Sequence, residues 1–298
     1  MTDEDPDEVW RSLSGDVLTE SDQPRGPLRG RHSCWRGVEY AGGPATPAWR
    51  DRGAPAGRGR AAPAPSQTGT GASPRCGDHP HELEWPTGRL PAIPSHELSG
   101  VVVEDSDGFS SGEDVFALTP FDRDGVAADY ALVPVEVLAP KPGSLSHIQA
   151  AALPMPGLSA WQALIVHGRL QAGERVGVTG AHGGVGHVAV QLARSRGAAL
   201  VEEGEPCDLL LDTVGGQALA RSAGQAGRIV TIAAEAPGAH YIVVEPNHEQ
   251  LLELARLADT GDLWPEIDSV FPLAQAQAAF MRSAARGKHG KVVLGVIE

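Results

Sequence analysis

Three observations predict an α/β protein in which an antiparallel β-rich unit precedes a short parallel sheet with helices on its faces. From His79 the chain alternates apolar segments with turn signals, as in "LSGVVVEDSDG", "DVFALTPFDRDG" and "DYALVPVEVLAPKP". That is the texture of short strands joined by tight turns. After Lys141 the pattern turns helical, with Trp161, Leu164 and Ile165 at i, i+3, i+4 spacing behind Ser159 as an N-cap. Finally, the glycine-rich "TGAHGGVG" joins the apolar run "RVGV" to a stretch whose inner face is Val185, Val188, Ala189 and Leu192.

The remaining elements follow in order. Residues 1–78 are dense in Gly, Pro, Ala and Arg without periodicity and read as irregular; within them only "VEYAGGP", from Val38 to Pro44, resembles an edge strand ending in a turn. Beyond the glycine turn, "DLLLD" at 208–212 and "RIVTIAA" at 228–234 read as buried strands. A helix comes next, with Asn247 and Gln250 as a capping box, Leu251, Leu254, Ala255 and Ala258 as its inner stripe, and Gly261 as its stop. The helical "LAQAQAAFMRSAAR" and the strand "KVVLGV" close the chain.

The 298 residues, 41% of them hydrophobic, suffice for two cores. A net charge of -14 and a pI near 5.2 argue against nucleic-acid and anionic-membrane surfaces, which need clustered positive charge. A small neutral partner fits better. Cys34, Cys76 and Cys207 form neither a disulfide framework nor a structural zinc pattern, which suits a reducing compartment and leads to the expectation of a cytoplasmic protein. The acidic start "MTDEDPDEVW" lacks the regions of a signal peptide, so export is not expected.

The chemistry concentrates in the glycine turn. A pyrophosphate that approaches the backbone closely needs small residues, which Gly180, Gly183, Gly184 and Gly186 supply, and the following helix offers unpaired N–H groups and the positive end of its dipole. Glycine also serves such turns for purely steric reasons. The strand before, the amphipathic helix after and "DTVGG" at the end of a later strand favour the dinucleotide reading.

Taken in order, "LPAIPSHELSGVVVE", "AADYALVP", "LSHIQAAALPMPGLSAWQAL", "TGAHGGVGHVAVQLARSRGA" and "DTVGGQALARSA" resemble the medium-chain dehydrogenase/reductase superfamily, and within it the zinc-independent quinone oxidoreductase branch. The resemblance runs from about His79 to the C-terminus, broken once. It implies a GroES-like β domain over 79–148, completed by 270–298, and a shortened Rossmann domain over 149–269. It also implies NADP(H), with NAD(H) as a second option, held by Gly180, Ala181, His182, Gly183, Gly184, Val185 and Gly186 and by Asp212, Val214 and Gly215. The substrate is then a quinone or activated enone, the cofactor carries the hydride chemistry, and the assembly is a homodimer.

As catalytic candidates the resemblance offers Ser159, Tyr130 and His96. Ser159 stands where the family's "GLTAW" threonine approaches the cofactor, or is simply a helix cap. Tyr130 faces the cleft or is an ordinary strand aromatic, and Trp85 walls the substrate site or, the favoured reading, fills the β core. His96 and Glu97 stand where zinc-dependent relatives carry a ligand-bearing pair, with Cys76 upstream. Pro154 and Met155 replace a further cysteine, so no zinc is expected and the pair hydrogen-bonds within the pocket wall.

Only "AALVEEGEPC" separates the first Rossmann helix from "DLLLD", so one strand-helix-strand repeat is missing. Too few residues remain for Ala198–Val201 and "DLLLD" to be ordinary parallel neighbours, and the strand order stays open. Glu202, Glu203 and Glu205 stand where a ribose 2'-phosphate would bind and disfavour it. The alternative function is therefore a non-catalytic remnant that binds a ligand or partner without turnover.

Overall fold

The computed structural model describes residues 93–285 and 287–296, together with the backbone of 68–77. The segment Val38–Pro44, Cys34 and Trp85 lie outside the described residues.

Strands β1 (Thr68–Gly77), β2 (Glu97–Val102), β3 (Asp114–Leu118), β4 (Tyr130–Pro134) and β5 (Leu138–Pro140) come first, before helices α1 (His147–Ala151) and α2 (Pro154–Trp161). After a π-helical turn at Gln162–His167, β6 (Arg175–Val178), α3 (Gly186–Ser195), β7 (Ala199–Val201), β8 (Cys207–Asp212), α4 (Gly216–Ala223) and β9 (Ala226–Thr231) alternate. The chain continues through β10 (His240–Tyr241), α5 (His248–Asp259), β11 (Ile267–Pro272), α6 (Ala276–Ala284) and β12 (Lys291–Gly295).

Two sheets result. The seven-stranded sheet runs β11-β12-β1-β2-β3-β5 with β4 also paired to β1, and it is antiparallel except between β11 and β12. The five-stranded sheet runs β10-β9-β8-β6-β7 and is wholly parallel. The fold is thus a GroES-like β-rich sheet joined to a truncated, doubly wound Rossmann sheet. One core gathers Leu158, Leu164, Val176, Val188, Leu192, Leu209 and Leu254 around the parallel sheet; another gathers Leu98, Val115, Val133, Phe280, Val292 and Leu294 against the antiparallel one.

Strand β1 corrects the irregular reading of residues 1–78. "TGTGASPRCG" has no apolar alternation to betray a strand, yet its backbone pairs with β12 and β2 over one half and with β2 and β4 over the other. Pairing on both edges, not propensity, makes it a strand.

The region around the gap resolves without conflict. β7 and β8 both pair with β6, one on each side, so they are not neighbours. The link Glu202–Pro206 is exposed and turns at Gly204, where φ is +90°. Six extended residue steps reach roughly 20 Å, enough to pass one strand when neighbouring strands lie about 4.8 Å apart. A three-residue β7 is what makes so short a link sufficient.

Two local expectations change. Ser159 is no N-cap: α2 begins at Pro154 behind Leu153, and Ser159 lies buried near its middle. Proline at N1 sets the helix start, because its missing N–H costs nothing there. Asn247 does cap α5, accepting from the Gln250 N–H at 3.0 Å, but the reciprocal half of the box is absent. The Gln250 side chain instead accepts from Gln162 Nε2 at 2.9 Å.

Candidate functional site

The chain reverses between β6 and α3 through Thr179–Val185, and the glycines there answer to specific neighbours. Gly180 has φ of +65°, and a Cβ on it would stand 2.7 Å from both the Thr213 hydroxyl and a Val214 methyl. At Gly186 a Cβ would fall 2.0 Å from the Gly180 carbonyl oxygen. Gly184 lies over the Lys291 methylenes, 3.1 Å from where its Cβ would be. The Gly183 N–H donates to Gly180 O at 2.9 Å, whereas those of Gly184 and Val185 donate to no acceptor among the described residues. Two orphan donors at the N-terminus of a ten-residue helix form an anion cradle.

Asp212 shapes the opposite wall. Its buried carboxylate accepts from the hydroxyls of Thr179 at 2.6 Å and Thr231 at 2.8 Å, and from the N–H groups of Gly215 at 3.0 Å and Val214 at 3.3 Å. It therefore ties together the ends of β6, β8 and β9. Its oxygens are engaged by four protein donors, so it positions the loop on which Val214 and Gly215 stand. Those bonds hold Gly215, at φ +74°, and the exposed Val214, whose methyl stands beside Gly180.

Behind the turn lies a buried ion pair. Lys291, the first residue of β12, donates through Nζ to Glu97 Oε1 at the start of β2, and both are almost completely excluded from solvent. Glu97 Oε2 accepts from the Met155 N–H at 3.0 Å, at the start of α2. One carboxylate thus joins β2, β12 and α2, through the lysine whose methylenes lie against Gly184. Ser159 lies four residues beyond Met155, hence on the same helix face. His96 precedes Glu97; its Nδ1 lies 3.2 Å from the Thr119 hydroxyl and its ring packs edge-on against Phe121. Ala181 and His182 complete the loop, with His182 O accepting from the Gly290 N–H at 3.2 Å.

Tyr130 does not join this group. It pairs with Ala72, whereas Glu97 pairs with Gly77, so the two stand five residues apart along β1, roughly 17 Å. It is also 55% exposed, the behaviour of an ordinary strand aromatic.

Sequence reading missed His187. The Glu266 N–H donates to His187 Nε2 at 2.9 Å, so Nδ1 carries the proton and donates to Gly183 O at 2.8 Å. The ring is a neutral clamp between the glycine turn and the segment before β11. Burial, opposed by the bond to Gly183, pushes its pKa below the ordinary histidine value, and burial does the same to His96. Below about pH 6.5 the unfolded chain takes up protons that the folded chain refuses, so stability falls as pH drops towards the lowered native values. Melting temperatures measured from pH 7.5 to 5.5 should decline, and His187→Gln should make the decline shallower.

Lys291 was also missed. Its only signal is a lysine opening an apolar strand, "KVVLG", a place where a charge is buried only if paired.

Among the described side chains, those around His96 are engaged with one another and not arranged as zinc ligands; the Cys76 side chain lies outside the described residues. Glu97 is committed to Lys291 and Met155, His96 lies against Thr119, and no group of three metal-ligating side chains occurs among the described residues. Nor is any helix among them long and apolar enough to cross a membrane.

A family model described as "Zinc-binding dehydrogenase" matches residues 184–294. The chain is 30% identical over 279 residues to a "Probable zinc-binding oxidoreductase, mitochondrial" of Arthroderma benhamiae, across 72% of this chain and 84% of that protein. To the human "NAD(P)H oxidoreductase RTN4IP1, mitochondrial" it is 28% identical, across 70% of this chain and 71% of that one. Among solved structures, an alcohol dehydrogenase superfamily protein from Novosphingobium aromaticivorans superposes with a TM-score of 0.72 at 27% identity, covering 81% of this chain and 95% of that one. The mitochondrial names of these curated relatives overturn the cytoplasmic expectation. Cysteine spacing alone does not name a compartment.

Proposed function

The chain belongs to the medium-chain dehydrogenase/reductase superfamily of oxidoreductases, and from that premise we propose that it uses a nicotinamide dinucleotide to reduce a quinone or activated enone without zinc. The observation that carries this reading is the cradle at Gly180–Gly186, whose Gly184 and Val185 N–H groups meet no acceptor among the described residues, with Gly184 packed against the Lys291 methylenes. Those donors suit a pyrophosphate. The nicotinamide supplies a hydride when bound. The protein's part is to hold donor and acceptor together away from water, largely a proximity effect. In this reading Asp212 fixes Val214 and Gly215 along the cofactor, Ser159 lines the site from α2, and the Glu97–Lys291 pair braces the turn from beneath.

Turnover is the test. Purified protein is mixed with NADH or NADPH and a panel of quinones and enones, and loss of absorbance at the reduced nicotinamide is followed. Oxidation that depends on both cofactor and acceptor, and persists after chelation, supports the proposal. Cofactor binding without turnover of any acceptor favours the non-catalytic alternative, whose support is the short link that replaces a whole repeat.

The same link bears on cofactor choice. Glu202, Glu203 and Glu205 follow β7, with Glu203 paired to Arg221 at 2.6 Å and Glu205 only 4.0 Å from Arg175. Three carboxylates against two arginines oppose a 2'-phosphate, so NADH is the preferred cofactor. Changing all three to alanine frees Arg221 and should shift the NADPH-to-NADH affinity ratio upward by about tenfold, read by titration. The homodimer is proposed as the assembly, which sedimentation of the purified protein checks.

A further inference from the structure

Far from the glycine turn in the sheet order, β10 forms the outer edge of the parallel sheet, and two exposed histidines meet there. His167 Nδ1 and His240 Nε2 are 3.0 Å apart, with ring centroids at 4.9 Å and planes inclined by 33°. One nitrogen must donate and the other accept, so a single proton lies between two imidazoles.

Both ligands are set by backbone rather than by chance contact. His167 ends the π-helical turn, which is closed by the Gly168 N–H donating to Ala163 O at 2.8 Å; Gly168 O in turn accepts from Arg228 Nε at 2.7 Å on β9. His240 is paired to Val230 of that same strand. An extra residue in the helical turn thus brings His167 to the sheet edge, a distortion often found at functional sites.

We propose that His167 and His240 form a two-imidazole site for a divalent transition metal ion of the zinc, nickel and copper class. These ions favour imidazole nitrogen. A tetrahedral ion with metal–nitrogen bonds near 2.05 Å spans about 3.3 Å between ligand nitrogens, and a square-planar one about 2.9 Å, so the observed spacing lies within the range required. Binding frees both facing nitrogens by moving the shared proton, through solvent, to the other nitrogen of the same ring, which leaves both imidazoles neutral ligands with one N–H each. Water fills the remaining positions, because both rings are exposed. The ion would cross-link residues 73 positions apart in sequence. It is distinct from the His96 region, which belongs to the other sheet.

The test is zinc titration by calorimetry on the full chain, comparing wild type with His167→Gln, His240→Gln and the double variant. The comparison subtracts binding by the other histidines and the cysteines. Wild type should take up one equivalent more than the double variant and melt higher with zinc than without. Each single variant should weaken that equivalent at least about tenfold. Equal stoichiometry in wild type and double variant, with both folded by circular dichroism, overturns the proposal.

Discussion

Gly186→Ala is expected to abolish measurable dinucleotide binding and to lower the stability of the whole chain. The added Cβ would lie 2.0 Å from the Gly180 carbonyl oxygen, 2.7 Å from its carbon and 2.8 Å from Ala181 Cα. All three are backbone atoms, so no side chain can swing aside. Either α3 retreats from the turn or the turn opens, and each movement disperses the N–H groups of Gly184 and Val185. Overpacking of this kind costs on the order of 1–3 kcal/mol and sometimes more. Gly224→Ala provides the control, because a Cβ there meets nothing within 4 Å and the backbone has ordinary φ. Thermal melting and cofactor titration of both variants should separate them clearly. Equal behaviour would show that the turn is plastic.

Lys291→Met is expected to be the most damaging single loss of a side-chain interaction. Glu97 is fully buried, and without the ammonium its carboxylate keeps the Met155 N–H but no counter-charge. Removing one member of a buried pair costs roughly 3–5 kcal/mol, most of it the penalty of the charge left behind. The double variant Glu97→Gln with Lys291→Met should recover much of that loss, since glutamine can still accept from Met155 and methionine refills the volume. Urea unfolding of the two single variants and the double one yields the coupling. Additive losses would mean that the pair is not coupled.

Periodicity made much of the parallel sheet legible. Val188, Ala189 and Leu192 are buried on one face of α3 as their spacing requires, and "RVGV" and "DLLLD" become β6 and β8. Leu251, Leu254, Ala255 and Ala258 line α5 inward for the same reason. What escaped was fixed by tertiary pairing. β1 has neither alternation nor bulk, and only its partners reveal it. Ser159 resembles a cap because serine often is one, but a proline five residues earlier opens the helix first. The order β8-β6-β7 depends on one strand being three residues long, a length no propensity encodes.

The same division holds at the site. The glycines declare a turn, and the turn is there. Lys291 reaches Gly184 from 107 residues further along the chain and His187 clamps the turn to Glu266 across 79, so neither carries a local pattern. Asp212 stands in a recognisable "DTVGG", but the motif alone does not reveal the four donors by which it shapes the loop. Tyr130 resembled a cleft residue only because strand aromatics and cleft aromatics share the same spacing.

Direct titration of the folded, full-length protein with NADH and with NADPH, followed by nicotinamide fluorescence and melting temperature, is the most decisive single measurement. Saturable binding near one equivalent per chain, tighter for NADH and lost in Gly186→Ala, is the expected result. A protein that melts cooperatively yet binds neither dinucleotide would contradict the assignment of Gly180–Gly186 as a working cofactor site.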